Sequence, residues 1–298
     1  CGIYNDNGHI QRDRRPYRGN KTCGRRVKKI IIFTMYIEIG PASIVVKTEK
    51  GHINVEPDRT KLEAHIKEIL QLIGGCLPVL KQKAYRIKRF QKLPSIAKNM
   101  IEAVKEVDEK TLTPMAAVAG AVSDEIKRYL KDDGFDFISV NNGGDISIFN
   151  EDLEKSIKIS IGHINKNTHT PYLLNIKGIK DYGIATSGLG GRSLTLGLAE
   201  IGTVIANTSA IADAAATFIC NKTNVDSKHV LREKAYIIDP TTDIPEEYVT
   251  LNIDKLNQEE ANNALQNGLN IASILKEQKK IIDALIYLKG NMVTTITE

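Results

Sequence analysis

The sequence predicts an α+β fold. Segments of alternating apolar and polar residues mix along the chain with segments of helical periodicity, without the strict strand–helix alternation of a doubly wound sheet. No repeat with a period of about 20–50 residues is visible, which sets aside solenoids and propellers. Hydrophobic residues make up 42% and charged residues 26% of 298, an ordinary globular balance on a chain long enough for a substantial core.

In chain order, "IIIFTMYIEI" and "ASIVVKTEKGHINV" alternate as paired strands, broken at Gly40-Pro41 and Lys50-Gly51. Pro57-Asp58 opens a helix with apolar Leu62, Ile66, Ile69, Leu70 and Ile73, and Gly74-Gly75 is expected to end it. His65 lies among charged neighbours there and reads as an exposed helix residue rather than a ligand. "PSIAKNMIEAVKEV" is a second amphipathic helix. "TLTPMAAVAGAVSDEIKRYLKDDG" is a third, with Pro114 in its first turn and Thr113 as the expected N-cap. "FDFISVNNGGDISIFN" reads as strand, glycine turn, strand, and "IKISIGHI" and "YLLNIKGIKDYGIATS" continue the strand pattern. "AEIGTVIAN" leads into the helix "TSAIADAAATFICN". "KAYIIDP", two helices within 258–289 and a final strand, "NMVTTIT", complete the expected order.

Charge is concentrated at the start. Residues 1–29 hold nine Lys or Arg against Asp6 and Asp13 and read as a solvated basic arm, with 30–298 as a single domain. With 5% aromatic residues and no Trp, a base-stacking surface is disfavoured, and nucleic acid is not an expected partner. Cys1, Cys23, Cys76 and Cys220 show neither a disulfide framework nor a metal spacing, so reduced thiols in the cytoplasm are expected. No apolar run reaches the roughly 18–20 residues of a membrane span. A leading Cys1 also fits a mature lipoprotein, but a truncated reading frame is the preferred account.

Three stretches combine small and polar residues. "TPMAAVAGAVSDEI" (113–126) lets something approach a helix closely, which tight packing of the helix also explains. "VNNGGDISI" (140–148) places Asn142 and Asp145 about a turn tolerant of positive φ, which a hairpin alone also explains. "GIATSGLGGRSLTLG" (183–197) is a glycine-rich polar loop with Arg192, suited to phosphate yet neither a Walker loop nor GxGxxG, and a flexible connection fits equally well. In the helix that follows, Asp213 and Thr217 stand at i and i+4 on one face. Carboxylate and hydroxyl oxygens suit a hard cation such as Mg²⁺, and the surrounding Ala residues are expected to leave room for a ligand. A Thr bonded to its own helix and an Asp near a helix N-terminus form the competing reading.

Taken in order, "TPMAAVAGAVSDEI", "VNNGGDISI", "GIATSGLGGRS" and "VIANTSAIADAAATFICN" resemble the ApbE superfamily over about residues 36–298, most closely an uncharacterised branch of ApbE-like proteins. The resemblance implies T-fold-related mixed sheets with packed helices. It also implies binding of FAD with Mg²⁺ and transfer of FMN to a Thr of an acceptor flavoprotein. Carried onto this chain, the family's "ADALST" falls on Ala212 to Thr217, implying Asp213 and Thr217 as metal ligands. Its "TSG" falls on Thr186, Ser187 and Gly188, near the flavin, and its "AKGYA" helix on the segment from Ala116 to Asp124, where a backbone carbonyl also serves the metal.

Two departures bear on activity. Ala119 stands where transferases carry Lys, and Arg192 lies near where their "HIIDPxTG" His falls. Arg does not give up its proton near neutrality, so it is a candidate phosphate contact and not a base. "YIIDPTTD" (236–243) echoes that stretch but follows the metal helix and begins with Tyr236, so it is not equated with it. His163 and His169 read as surface-loop residues. A flavin transferase and a flavin- or nucleotide-binding protein without transfer both follow, and the sequence leaves the choice open.

Overall fold

The computed structural model describes residues 34–162 and 172–296. The basic arm, Cys1, Cys23, His163 and His169 lie outside the described residues.

The fold is α+β, as expected. Its main sheet is antiparallel throughout. Strands β1 (Met35–Ile39), β2 (Ala42–Lys50) and β3 (Ile53–Asn54) open the chain. Next come β4 (Phe137–Asn142), β5 (Asp145–Asn150), β6 (Ile157–Ile161), β7 (Tyr172–Ile176), β8 (Asp181–Ser187) and β9 (Ile201–Ala206). β10 (Val230–Lys234), β11 (Tyr248–Ile253), β12 (Asp283–Leu288) and β13 (Asn291–Thr294) complete the set. The sheet order is β1-β2-β4-β5-β8-β9-β12-β13, with β3 on β2, while β6–β7 and β10–β11 form separate two-stranded ribbons.

The helices are α1 (Arg59–Leu80), α2 (Ser95–Asp108), α3 (Val118–Asp132), α4 (Ser209–Lys222), α5 (Ala235–Ile238) and α6 (Gln258–Glu277). α3 packs on β4 and β5, and α4 on β8 and β9. α2, α3 and α6 also pack on α4, which makes α4 the central helix of the larger core. The sheet is buried on its other side too, where Tyr182, Ile184, Ile201 and Ile205 meet Ile161, Leu174 and Ile176 of the β6–β7 ribbon. This double coverage explains why all six residues of β9 are buried.

Three expectations are corrected. α1 runs through Gly74-Gly75 to Leu80, because Ile73, Cys76 and Leu80 keep the helical spacing and are buried. Two helical glycines cost about 1 kcal/mol each relative to Ala, less than those apolar contacts return. The region 258–289 holds one helix and β12 rather than two helices: Ala284, Leu285, Ile286 and Leu288 are buried, and β12 fills the place between β9 and β13. His65 is half-buried rather than exposed, its ring stacked on Tyr129 of α3 at 4.4 Å between centroids.

The Ala content of α4 also has a different cause from clearance for a ligand. Ala210, Ala212, Ala214, Ala215 and Ala216 are all buried in the core. A helix surrounded by three other helices and two strands approaches its neighbours closely only with small side chains. Asp213 and Thr217 are the half-buried polar positions among them.

Candidate functional site

α4 is held at its N-terminus by side chains and by close backbone approach. The Thr208 hydroxyl caps it, accepting from the Ile211 N–H at 3.2 Å. Asp124, on α3, reaches across to accept from the Ser209 N–H at 3.1 Å and the Ala210 N–H at 2.9 Å. It also accepts from the Ser147 hydroxyl and lies 3.7 Å from Lys127 Nζ. Four N–H groups at a helix start lack intrahelical partners, and these two side chains satisfy three of them. Gly120 on α3 and Gly183 on β8 press against the backbone of Ser209: a Cβ there would lie 2.2 Å from Ser209 O and 2.1 Å from Ser209 N respectively.

This clamp sets Asp213. Its Oδ2 accepts from the Gly120 N–H at 3.0 Å, so the carboxylate is tied to α3 and not to its own helix. Among the described residues, the Thr217 hydroxyl makes no hydrogen bond to its own helix. Of the competing reading of the Asp–Thr pair, the Thr bonded to its own helix is thus not seen, while Asp213 does stand in the second turn of α4.

β4 and β5 meet in a two-residue turn, Gly143-Gly144, with φ of 68° and 120°. Only glycine adopts both readily, and the turn is the tight hairpin expected from "NNGG". It is also more than a turn. Asn142 Oδ1 accepts from the Ser43 N–H at 3.2 Å, and its Nδ2 donates to the Ala119 carbonyl at 3.4 Å. Asn142 thus spans from sheet to helix beside Asp213. Opposite it in the ladder, Asp145 is half-buried, and its Oδ1 is shielded from water with no hydrogen-bond partner among the described residues.

Arg192 lies over the same turn. Its Nη2 donates to the Pro41 carbonyl at 2.8 Å, and Nη1 lies 2.7 Å from where a Gly143 Cβ would be. Thr186 is exposed and bonds Thr203 through their hydroxyls at 2.9 Å. Ser187 faces the thiol of Cys220, which burial pushes up to about 12. Cys76 and Cys220 are both free and buried.

These residues share one cleft of 980 Å³, lined by Ala119, Asn142, Asp145, Thr186, Ser187, Gly188, Arg192, Asp213 and Thr217. The structure brings together every candidate residue that the sequence singled out there. It adds others from distant segments. Lys81 and Lys83, at and after the end of α1, also line the cleft, with Asp239, Thr241 and Asp243. Thr113 does not cap its helix: its hydroxyl donates to Asp243 instead, and Lys81 Nζ donates to the Thr241 carbonyl. The part 239–243 of the stretch set apart by chain order reaches the cleft, next to the β10–β11 ribbon, whose Thr250 N–H donates to the Thr195 carbonyl at 2.9 Å. The signal was the motif itself. Tyr236, 44% exposed, is not among the lining residues.

The electrostatics centre on two carboxyls. Burial raises Asp145 to about 7, against the Thr186 N–H and the Arg192 guanidinium, which lower it. Asp213 is raised well above the ordinary range, by burial first and then by Asp145, against the N–H groups of Gly120 and Ala119. Two carboxyls set back from water, one with an orphaned oxygen, fit a hard divalent cation in their oxygen chemistry once ionised.

A pH dependence follows. A carboxyl whose folded value lies above its unfolded value of about 4 contributes stability below that value and loses it as pH rises through the folded value. Cation-free protein therefore loses the Asp145 contribution between about pH 4 and pH 7. Asp145→Asn, neutral throughout, should melt at about the wild-type temperature at pH 4 and increasingly above it towards pH 8. A difference in melting temperature that stays flat with pH would contradict this.

A family model described as AbpE bacteria matches residues 28–294. The UPF0280 protein of Methanococcus maripaludis is 37% identical over 147 residues, 48% of this chain and 58% of its own length. That of Methanosphaera stadtmanae is 33% identical over 178 residues, 57% of this chain and 70% of its own. The chain spans only 58% and 52% of the first two curated relatives it matches. Among solved structures, the flavin transferase ApbE from Vibrio cholerae has a TM-score of 0.49 at 13% identity, covering 88% of this chain and 96% of that one. The ApbE protein from Thermotoga maritima has a TM-score of 0.44 at 12% identity, with the same coverage.

Proposed function

Since the chain belongs to the family described as AbpE bacteria, we propose that its cleft binds a flavin or related phosphorylated ligand together with Mg²⁺, and serves transfer of FMN from FAD to a protein Thr. The observation that carries this is the convergence of Asp213, Thr217 and Asp145 with a glycine-rich loop and Arg192 on one cleft. Asp213 and Thr217 would hold the cation, which when bound neutralises phosphate charge and draws electron density from phosphorus. Thr186, Ser187 and Gly188 would line the flavin side, with Asn142 and Ala119 at the junction of α3 and β4. Arg192, fixed on Pro41, supplies a permanent positive charge for a pyrophosphate oxygen. Lys81, on the Thr241 carbonyl, and Lys83, paired with Glu247 at 3.0 Å, also line the cleft.

Transfer would join the acceptor hydroxyl oxygen to the FMN phosphorus, break the pyrophosphate bond and release AMP, with the hydroxyl proton passing to the departing AMP phosphate or to water. The acceptor fits a flavoprotein, and two reduced, buried thiols fit a cytoplasmic setting. Among the described residues no helix is long and apolar enough to cross a membrane. A second reading, binding without transfer, is supported by Arg192 near the place of the family's His, because a guanidinium does not take up the acceptor's proton.

The test is incubation of the purified protein with FAD and Mg²⁺. Saturable, Mg²⁺-dependent binding with AMP release and a flavinylated acceptor supports transfer. Saturable binding with no AMP selects the second reading. Absence of flavin binding, with Asp213→Ala leaving Mg²⁺ affinity unchanged, overturns both.

A further inference from the structure

We infer that Asp145 is itself a cation ligand, so that the divalent ion of the cleft is held between two carboxylates from different layers of the fold, Asp145 on the sheet and Asp213 on α4. The inference rests on the cation reading above and extends it to a residue that the metal-helix spacing does not include.

The first support is the orphaned oxygen. Asp145 Oδ1 is shielded from water and has no hydrogen-bond partner among the described residues, while lining the same cleft as Asp213 and Thr217. A buried carboxylate oxygen left without a donor costs free energy, and a hard cation removes that cost directly. The second is the placement of its neighbours. Asp213 spends one oxygen on the Gly120 N–H and lines the same cleft as Asp145. Two such carboxylates tolerate each other when a positive charge stands between them.

Arg192 does not fill that role alone. It bears on Asp145, but its Nη2 is committed to the Pro41 carbonyl and it makes no hydrogen bond to either carboxylate. The third support is rigidity. Asp145 follows directly on the Gly143-Gly144 turn, and its carbonyl accepts from the Ser123 hydroxyl at 2.8 Å, tying the start of β5 to α3. Asp213 is tied to the same helix just under one turn earlier, at Gly120. Both ligands are thus referenced to α3, as a preformed site requires. The set of two carboxylates and one hydroxyl leaves positions for water or ligand phosphate oxygens, as Mg²⁺ sites commonly do.

The test uses Mn²⁺ as the probe, titrated calorimetrically or by electron paramagnetic resonance into the full chain without flavin. Wild-type protein is expected to bind Mn²⁺. Asp145→Asn should weaken binding by roughly ten-fold or more, comparably to Asp213→Asn, since ligand charge count sets affinity at such sites. Cation-free Asp145→Asn should melt no lower than wild type at pH 8. Unchanged Mn²⁺ affinity in Asp145→Asn, with loss in Asp213→Asn, overturns this inference and leaves the proposed function standing. No Mn²⁺ binding by the wild type overturns both. An infrared difference spectrum of the wild type on adding Mg²⁺ needs no variant: two perturbed carboxylates support the inference, and one overturns it.

Discussion

Gly120→Val is expected to abolish the folded state or to lower its stability by about 3 kcal/mol or more. A Cβ at this position would stand 2.2 Å from the carbonyl oxygen of Ser209 and 2.8 Å from the Ala210 nitrogen. Those are backbone atoms of α4, so no side chain can swing aside. Relief requires α3 and α4 to separate, which breaks the Gly120–Asp213 bond and the two bonds from Ser209 and Ala210 to Asp124. The milder Gly120→Ala should lower the chemical-denaturation midpoint clearly and weaken Mn²⁺ binding with it. Gly74→Ala is the control: this residue lies in α1, is exposed and has open space around it, so Ala should stabilise by about 0.5–1 kcal/mol. A Gly120→Ala protein with wild-type midpoint and cation affinity would refute the clamp.

Asp124→Ala should destabilise the protein by about 2–4 kcal/mol, measured by denaturant titration. The carboxylate accepts from two N–H groups at the start of α4 and from the Ser147 hydroxyl, with Lys127 nearby. Its loss orphans those donors in a partly buried place, although Lys127 keeps Asp181. Because the same contacts hold α4 and its Asp213 against Gly120, the variant should also lose Mn²⁺ affinity while every proposed ligand side chain is intact. Asp124→Asn retains one acceptor oxygen and should fall between Ala and wild type. Equal stability of Asp124→Ala and wild type would show that Thr208 alone caps α4.

Features closed within a few residues were legible in the chain. The "NNGG" hairpin, the i, i+4 spacing of Asp213 and Thr217 and the amphipathic α2 appear where the pattern places them, because each is decided by local backbone geometry. Boundaries settled by distant partners were not. Whether α1 stops at Gly74-Gly75 depends on what buries Cys76 and Leu80, and whether 281–288 is helix or strand depends on the vacancy between β9 and β13.

The site divides in the same way. Sequence by itself determined the α+β class, the family motifs and their order, and the residue types that converge on the cleft. Tertiary structure decided why α4 is built of Ala, that Thr113 bonds Asp243 rather than capping a helix, and that Asp124 anchors the start of α4. It also returned 239–243 to a cleft from which chain order had separated it. The physical reason is separation along the chain. Gly120 and Asp213 are 93 residues apart, Asp124 and Ala210 86, and Thr113 and Asp243 130, so no local periodicity carries these contacts. They exist only once the sheet and the helices upon it have fixed one distance between α3 and α4.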